Sequence, residues 1–130
     1  MKTVPKPIKK KKISDQVLDG LIRQYIRLIS GGYCKRCRKW CPVETAHLYR
    51  RWRKTTRWDL RNVVPLCKDC HWEIDSDPIK LTSFMYDILS KEDIKDLQRL
   101  ATMTLKEYPI DREAKKQELK EKIKQLGGQP

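Results

Sequence analysis

Two Cys-x-x-Cys pairs constrain this chain more than any other feature. Cys34 and Cys37 form the first pair, and Cys67 and Cys70 form the second. Each pair bends the backbone so that two thiolates converge, and two pairs together supply the tetrahedral set of sulfur ligands that zinc prefers. Because four protein ligands leave no open position for water, we expect a structural Zn²⁺ ion that clamps the ends of the intervening segment together.

The cysteine count and the fifth cysteine bear on this interpretation. The chain has five cysteines, and an odd number in a chain of intracellular type argues against a disulfide framework. Redox-active pairs are the rival interpretation, but two pairs that bracket a basic segment are less typical of them. Cys41 could replace a neighbour as a ligand; since the paired spacings are already complete, we expect it to be a small, partly buried residue.

The charge balance predicts the class of partner. Thirty Lys and Arg against 17 Asp and Glu give a formal net charge of +13, which attracts polyanions and makes nucleic acid the first partner to consider. No apolar run is long enough to span a membrane, and the lysine-rich start lacks the apolar stretch of a secretory signal. We therefore expect a cytoplasmic, or otherwise intracellular, protein without a membrane partner.

The length of 130 residues predicts one domain. We predict a disordered basic arm over residues 1–12, a domain over 13–110 and a charged C-terminal helix over 111–130. The C-terminal helix has few apolar positions, so it is expected either to be solvated or to pack on a partner.

Apolar spacing and capping residues predict the helices of the domain. A helix is expected over 14–30, beginning at Ser14, and further helices over 78–105. The cysteine and histidine region over 33–76 lies between them and has room for short strands. The predicted fold class is α+β, mainly helical, with a small zinc-clamped module and flanking helices.

A second set of residues lies within and just beyond the cysteine pairs. Taken alone, His47 and His71 would be ordinary hydrogen-bonded histidines, and Asn62 would make a turn. If a helix begins near Cys70, however, His71 and Asp75 lie one turn apart on one face, where two side chains can share a divalent ion. His47, in a stretch of β type, would then be the general base that takes a proton from the attacking water.

These residues resemble the HNH (ββα-metal) endonucleases. The resemblance lies in the cysteine pairs, the histidine of "ETAHL", the asparagine of "RNVVPLC" and the segment "CKDCH". More narrowly, "AHLYRRWRKTTRWDLRN" followed by "LCKDCH" is similar to phage recombination nucleases of the NinG kind. The resemblance implies DNA cleavage with Mg²⁺ or Mn²⁺, and 5′-phosphate and 3′-hydroxyl products.

The resemblance also implies roles for single residues. His47 matches the general base, and Asn62 matches the residue that orders the loop or, in some members, binds the metal. His71 matches a metal ligand, and Asp75 falls where some members have a further one. Many members have an aspartate immediately before the general base, whereas this chain has Ala46 there. Glu44 would help only if its strand presented it on the same face as His47, and side chains three residues apart on a strand point to opposite faces.

The segment between the histidines is dense in basic residues that we expect to bind phosphate, with Arg57 as the first choice. The alternative is a solvated run of charge. The same choice, phosphate contact or solvated surface, holds for Arg23 and Arg27 on the first helix. The basic residues of the segment are Arg50, Arg51, Arg53, Lys54, Arg57 and Arg61.

The predicted function is metal-dependent DNA cleavage, with branched or recombination-intermediate DNA implied by the narrower resemblance. Symmetric cutting of a junction needs two active sites, so a homodimer with an interface on the C-terminal helices is compatible with it. The alternative function is a non-catalytic zinc module that binds nucleic acid. Trp52, Trp58 and Trp72 are expected to pack the core more than to stack on bases.

Overall fold

The computed structural model describes residues 12–130, so the predicted basic arm over 1–12 lies outside the described residues apart from Lys12. Five α-helices and one two-stranded sheet make up the described chain, which confirms a mainly helical α+β fold with strands only in the middle. None of these helices is both long and apolar enough to cross a membrane. The elements are α1 Asp15–Ser30, β1 Val43–His47, β2 Val63–Cys67, α2 Lys68–Ser76, α3 Pro78–Ile88, α4 Lys91–Ala101 and α5 Arg112–Gln125, with one 3₁₀ turn at Leu60–Asn62.

The ends of the helices follow the capping residues. The Ser14 side chain accepts a hydrogen bond from the N–H of Val17 at 3.3 Å, and α1 ends at Gly31, whose φ of 57° suits a residue without a side chain. Asp77 caps α3, which has Pro78 at its first position. The last helix of the domain, α4, ends at Ala101, before the predicted limit of 105.

The two strands form an antiparallel hairpin that places the histidines. Val43 pairs with Cys67 at one end and His47 pairs with Val63 at the other. α2 follows β2 without a loop. Cys67 is both the last residue of β2 and the N-cap of α2, and its sulfur accepts a hydrogen bond from the N–H of Cys70. This ββα order puts His47 at the end of β1 and His71 in the first turn of α2.

Two apolar clusters pack around the hairpin. One, between the hairpin and α2 to α4, includes Ala46, Leu66, Ile74 and Phe84. The other lies among α1, α5 and the start of β2 and includes Leu18, Ile22, Trp58, Val63, Leu119 and Ile123. The hairpin is therefore fixed from both sides.

The C-terminal helix packs within the chain. Leu119 and Ile123 of α5 are completely buried against α1. The few apolar positions of this helix are thus covered by the chain's own first helix. Leu119 and Ile123 are thus unavailable to a dimer interface, and a homodimer through the C-terminal helices stays a prediction.

The three tryptophans that were expected to pack the core differ in burial. Trp58 is buried in the α1–α5 cluster, as expected. Trp52 and Trp72 are 69% and 71% exposed, so the expectation of core packing was wrong for both. Their rings project from the loop after β1 and from α2, two elements whose inward faces are already filled by smaller side chains.

Candidate active site and zinc clamp

Four cysteines converge on one point. The sulfurs of Cys34, Cys37, Cys67 and Cys70 all lie within 4.8 Å of one another, which fits a tetrahedral zinc site. Burial would raise the pKa of Cys34, but backbone N–H groups of neighbouring residues outweigh it and lower this pKa to about 6, which favours the thiolate that binds zinc. Cys41 is half-buried, and its sulfur lies 3.3 Å from the carbonyl oxygen of Lys39, outside this set. We call the four-cysteine site the zinc clamp.

His47 is held by the main chain of the loop that follows it. Its Nε2 lies 3.0 Å from the carbonyl oxygen of Arg57. Because a carbonyl only accepts, the ring proton is on Nε2, and Nδ1 keeps its lone pair. Burial lowers the pKa of His47, so the imidazole is neutral at neutral pH. The side chain is therefore oriented and protonated as a general base requires.

Asn62 is fully buried, and its amide is used by the main chain of the same loop. Its Oδ1 accepts from the N–H of Tyr49 at 2.7 Å, and its Nδ2 donates to the carbonyls of Tyr49 at 3.2 Å and Thr56 at 3.0 Å. These bonds tie the two ends of the loop together directly after His47. Of the two roles that the resemblance implies for Asn62, this geometry favours ordering the loop over binding a metal ion.

His71 on α2 lies between two carboxylates. Its Nε2 is 3.3 Å from Asp75 Oδ2, and its Nδ1 is 3.6 Å from Glu44 Oε2. The pairing with Asp75 has the expected one-turn spacing on the helix. Because the carboxylates face opposite ring nitrogens and an imidazole binds an ion through one nitrogen, an ion bound by His71 could be shared with only one of them, and the other could accept the remaining ring N–H.

Glu44 lies close to His71 although it does not share a strand face with His47. Its side chain is on the face of β1 that lies toward α2, the same face as position 46. Glu44 and Ala46 are two residues apart on β1, so they share a face, and Ala46 is buried in the cluster beneath α2. Glu44 therefore carries a carboxylate to His71 although the position before His47 has none.

A cleft of about 310 Å³ lies between α1 and β1. His47 and Glu44 line it from the strand, and Arg51 lines it from the loop. Three charged residues of α1 complete it: Asp19, Arg23 and Arg27. His71 and Asp75 do not line this cleft, so Glu44 is the residue that connects it to the His71 pair.

Asp19 anchors the loop after β1 to α1. Its Oδ1 accepts from Trp58 Nε1 at 2.8 Å and from Arg57 Nε at 3.1 Å, and its Oδ2 accepts from Arg51 at 2.8 Å. Burial would raise the pKa of Asp19, but the hydrogen bonds from Arg57, Trp58 and Arg51 outweigh it and lower this pKa to about 2. Sequence reasoning missed this residue, since a helix carboxylate in the second turn carries no distinguishing pattern. We call this set of contacts the Asp19 network.

Most of the basic loop is tied to the rest of the chain. Arg57, the expected phosphate ligand, has a side chain only 11% exposed and paired with Asp19, so its geometry favours a structural role instead. Arg61 pairs with Asp59 and with two carboxylates of α4, and the hydrogen bonds that it donates to these partners raise its pKa. Contacts also engage the remaining basic residues: Lys54 with Asp15, Arg53 with the carbonyl of Ala101, Arg50 with the carbonyl of Asp75, and Arg51 with Asp19.

Comparison with known proteins gives one match. Residues 28–79, less than half of the chain's 130 residues, match a family model described as HNH endonuclease. The matched segment holds the zinc clamp, the hairpin and α2, together with both histidines. Searches among curated proteins and among solved structures gave no significant match.

Proposed function

We propose that this protein is a divalent-metal-dependent endonuclease that hydrolyses phosphodiester bonds in DNA. The observation that carries the proposal is His47, whose Nε2–H is fixed by the Arg57 carbonyl, which leaves the lone pair of the neutral ring on Nδ1. The match of residues 28–79 to an HNH endonuclease model supports the same function, and the net charge of +13 suits a polyanionic substrate.

In the proposed reaction, His47 Nδ1 takes a proton from water while the water oxygen attacks phosphorus. The bond from phosphorus to the leaving 3′ oxygen breaks, and that oxygen takes a proton from solvent to give a 3′-hydroxyl opposite a 5′-phosphate. The Arg57 carbonyl stabilises the imidazolium, because its hydrogen bond from Nε2–H strengthens when the ring becomes charged. Asn62 and Asp19 act as positioning residues, since they hold the loop that carries this carbonyl.

The donor set around His71 fits a divalent ion. An imidazole flanked by two carboxylates offers the mixture of nitrogen and oxygen ligands that Mn²⁺ accepts and the oxygen ligands that Mg²⁺ prefers. A bound ion there would supply stabilisation of the negative charge that develops on the phosphate and the leaving oxygen. We propose that Glu44 or Asp75 joins His71 as a ligand and that the other carboxylate accepts the remaining ring N–H.

The test compares wild type with His47→Gln and His47→Ala on linear, nicked and four-way-junction DNA, with added Mg²⁺ or Mn²⁺ or with neither. Glutamine can still donate to the Arg57 carbonyl, so His47→Gln separates loss of the base from disturbance of the loop. We expect metal-dependent cutting by wild type and a loss of about 100-fold or more in both variants. DNA binding should remain in all three proteins.

Two results would refute the proposal. One is residual cutting by His47→Gln equal to wild type. The other is DNA binding by wild type without cutting of any of the three substrates, which would instead identify a non-catalytic zinc module. Faster cutting of the junction than of linear DNA would support the narrower proposal of a branched substrate, and equal rates would remove it.

A further inference from the structure

The α1 side of the cleft presents two arginines that form no ion pair within the described residues. Arg23 and Arg27 are exposed, both line the cleft that contains His47, and they lie one turn apart on the same face of α1. Within residues 12–130 neither of them pairs with a carboxylate. The arginines that do form ion pairs in this part of the chain are Arg36, Arg51, Arg57, Arg61, Arg99 and Arg112.

The arginines of this region thus fall into two groups: those whose guanidinium groups form ion pairs within the fold, and those whose guanidinium groups are available to bind a phosphate. Arg57 and Arg61 each have carboxylate partners and are partly buried, so binding a phosphate would cost them contacts that the fold uses. Arg23 and Arg27 would give up no ion pair of the part of the chain that the structure describes. Their guanidinium groups carry the fork of donors that matches a phosphate.

The electrostatics of the cleft favour an anion. Its two carboxylates are already engaged, because Asp19 accepts from three side chains of the loop and Glu44 lies beside His71. Arg51 of the loop, paired with Asp19 but with its side chain 61% exposed, adds a third guanidinium to the cleft. The wall that faces His47 is therefore net positive.

We propose that Arg23 and Arg27, together with Arg51 of the loop, bind successive phosphates of the DNA strand that enters the cleft beside His47. This proposal rests on the proposed function. Both α1 arginines lie before residues 28–79, the segment that matches the HNH endonuclease model. Contacts to phosphates fix the register of the strand without reading its sequence, so the binding should be independent of sequence.

The experiment measures duplex DNA binding by fluorescence anisotropy over a series of salt concentrations. All variants carry His47→Ala and no divalent ion is added, so binding is observed without cutting. For Arg23→Gln/Arg27→Gln, we expect the slope of log affinity against log salt to fall by about 1.8, since each lost phosphate contact removes about 0.9. Affinity at low salt should fall on the order of tenfold or more.

Two matched variants control for charge and for folding. Lys91→Gln/Lys95→Gln removes the same charge from two exposed residues one turn apart on α4, and should leave the slope nearly unchanged. Arg23→Lys/Arg27→Lys keeps the charge and should keep most of the slope. The proposal is overturned if the arginine-to-glutamine pair loses no more slope than the lysine control, if the arginine-to-lysine pair loses as much slope as the glutamine pair, or if the parent protein binds no duplex.

These outcomes are independent of cleavage. If the wild-type protein does not cut DNA but its salt slope depends on Arg23 and Arg27, the proposed function is refuted and the phosphate site is supported. If the wild-type protein cuts DNA and the arginine variants keep the same slope, the proposed function is supported and the phosphate site is refuted.

Discussion

Two anchors hold the candidate site, and they differ in chemistry and in reach along the chain. The zinc clamp joins the loop before β1 to β2 and α2 through four like ligands. The Asp19 network joins α1 to the loop after β1 through one carboxylate that accepts from three side chains. The first anchor fixes the helix that carries His71, and the second fixes the loop that orients His47. The two histidines therefore depend on different interactions, which substitutions can separate.

Breaking the zinc clamp should have the largest effect. Cys67→Ser removes one of four zinc ligands, and structural zinc contributes on the order of 10 kcal/mol in small zinc modules, comparable with the whole stability of a domain. We expect loss of bound zinc and of cooperative thermal unfolding. Cys41→Ser, outside the ligand set, is the control and should keep both. Normal melting and zinc content in Cys67→Ser would contradict the clamp.

Breaking the Asp19 network should cost less but should act on His47. Asp19→Ala leaves the Trp58 Nε1–H without its acceptor and the largely buried Arg57 guanidinium with only its 3.7 Å contact to Asp15, which we expect to lower the free energy of unfolding by about 3 kcal/mol in urea. DNA cutting should fall as well. Asp87→Ala removes an exposed carboxylate of α3 and should change the stability by less than about 0.5 kcal/mol. Equal effects of the two substitutions would remove the special role of Asp19.

Acid should titrate the Asp19 network selectively. The pKa of Asp19 falls from 3.8 to about 2 on folding, so its contribution is present above about pH 4 and is lost as the pH falls toward 2. This shift corresponds to roughly 2 kcal/mol. Other carboxylates titrate in the same range, so the measurement is the difference in unfolding free energy between wild type and Asp19→Asn from pH 2 to pH 5. A difference that does not grow with pH would show that the carboxylate is not responsible.

The smallest effect is expected on the affinity for the divalent ion that we propose beside His71. We expect Glu44→Gln and Asp75→Asn to weaken Mn²⁺ binding by different factors, with the larger loss, about tenfold or more, at the carboxylate that is a direct ligand. Calorimetry measures this without reference to cutting. Glu92→Gln, on an exposed position of α4, is the control. Unchanged Mn²⁺ binding in both site variants would place the ion elsewhere.

The zinc clamp could be predicted from the sequence because its ligands are identical residues at a fixed spacing. The starts of α1, α3 and α4 could be predicted for a similar reason, since Ser14, Asp77 and Ser90 act on backbone groups two or three residues away. In both cases the interacting groups are close together in the sequence, within each cysteine pair and within each cap. A short sequence pattern is therefore enough to predict them.

Long-range pairing could not be predicted in the same way. Asp19 contacts residues of the loop 32 to 39 positions further along, and Arg61 reaches Asp93 across 32 positions. A run of basic residues therefore looked like one phosphate-binding surface, although the fold uses much of it for internal ion pairs. Glu44 differs for another reason: it shares a strand face with Ala46, which lies toward α2, and the sequence does not show that this face, and not that of His47, meets His71.

The hydrogen bond that orients His47 ends on a peptide carbonyl. No side-chain substitution at position 57 can delete that oxygen, so the orientation of the base is inherited from the path of the backbone. A protein of this kind could exchange the residue at position 57 and keep its base aligned, as long as Asn62 still joins the two ends of the loop and Arg51 and Trp58 still bond to Asp19. The carbonyl that orients the proposed general base could then not be recognised from the residue type at position 57.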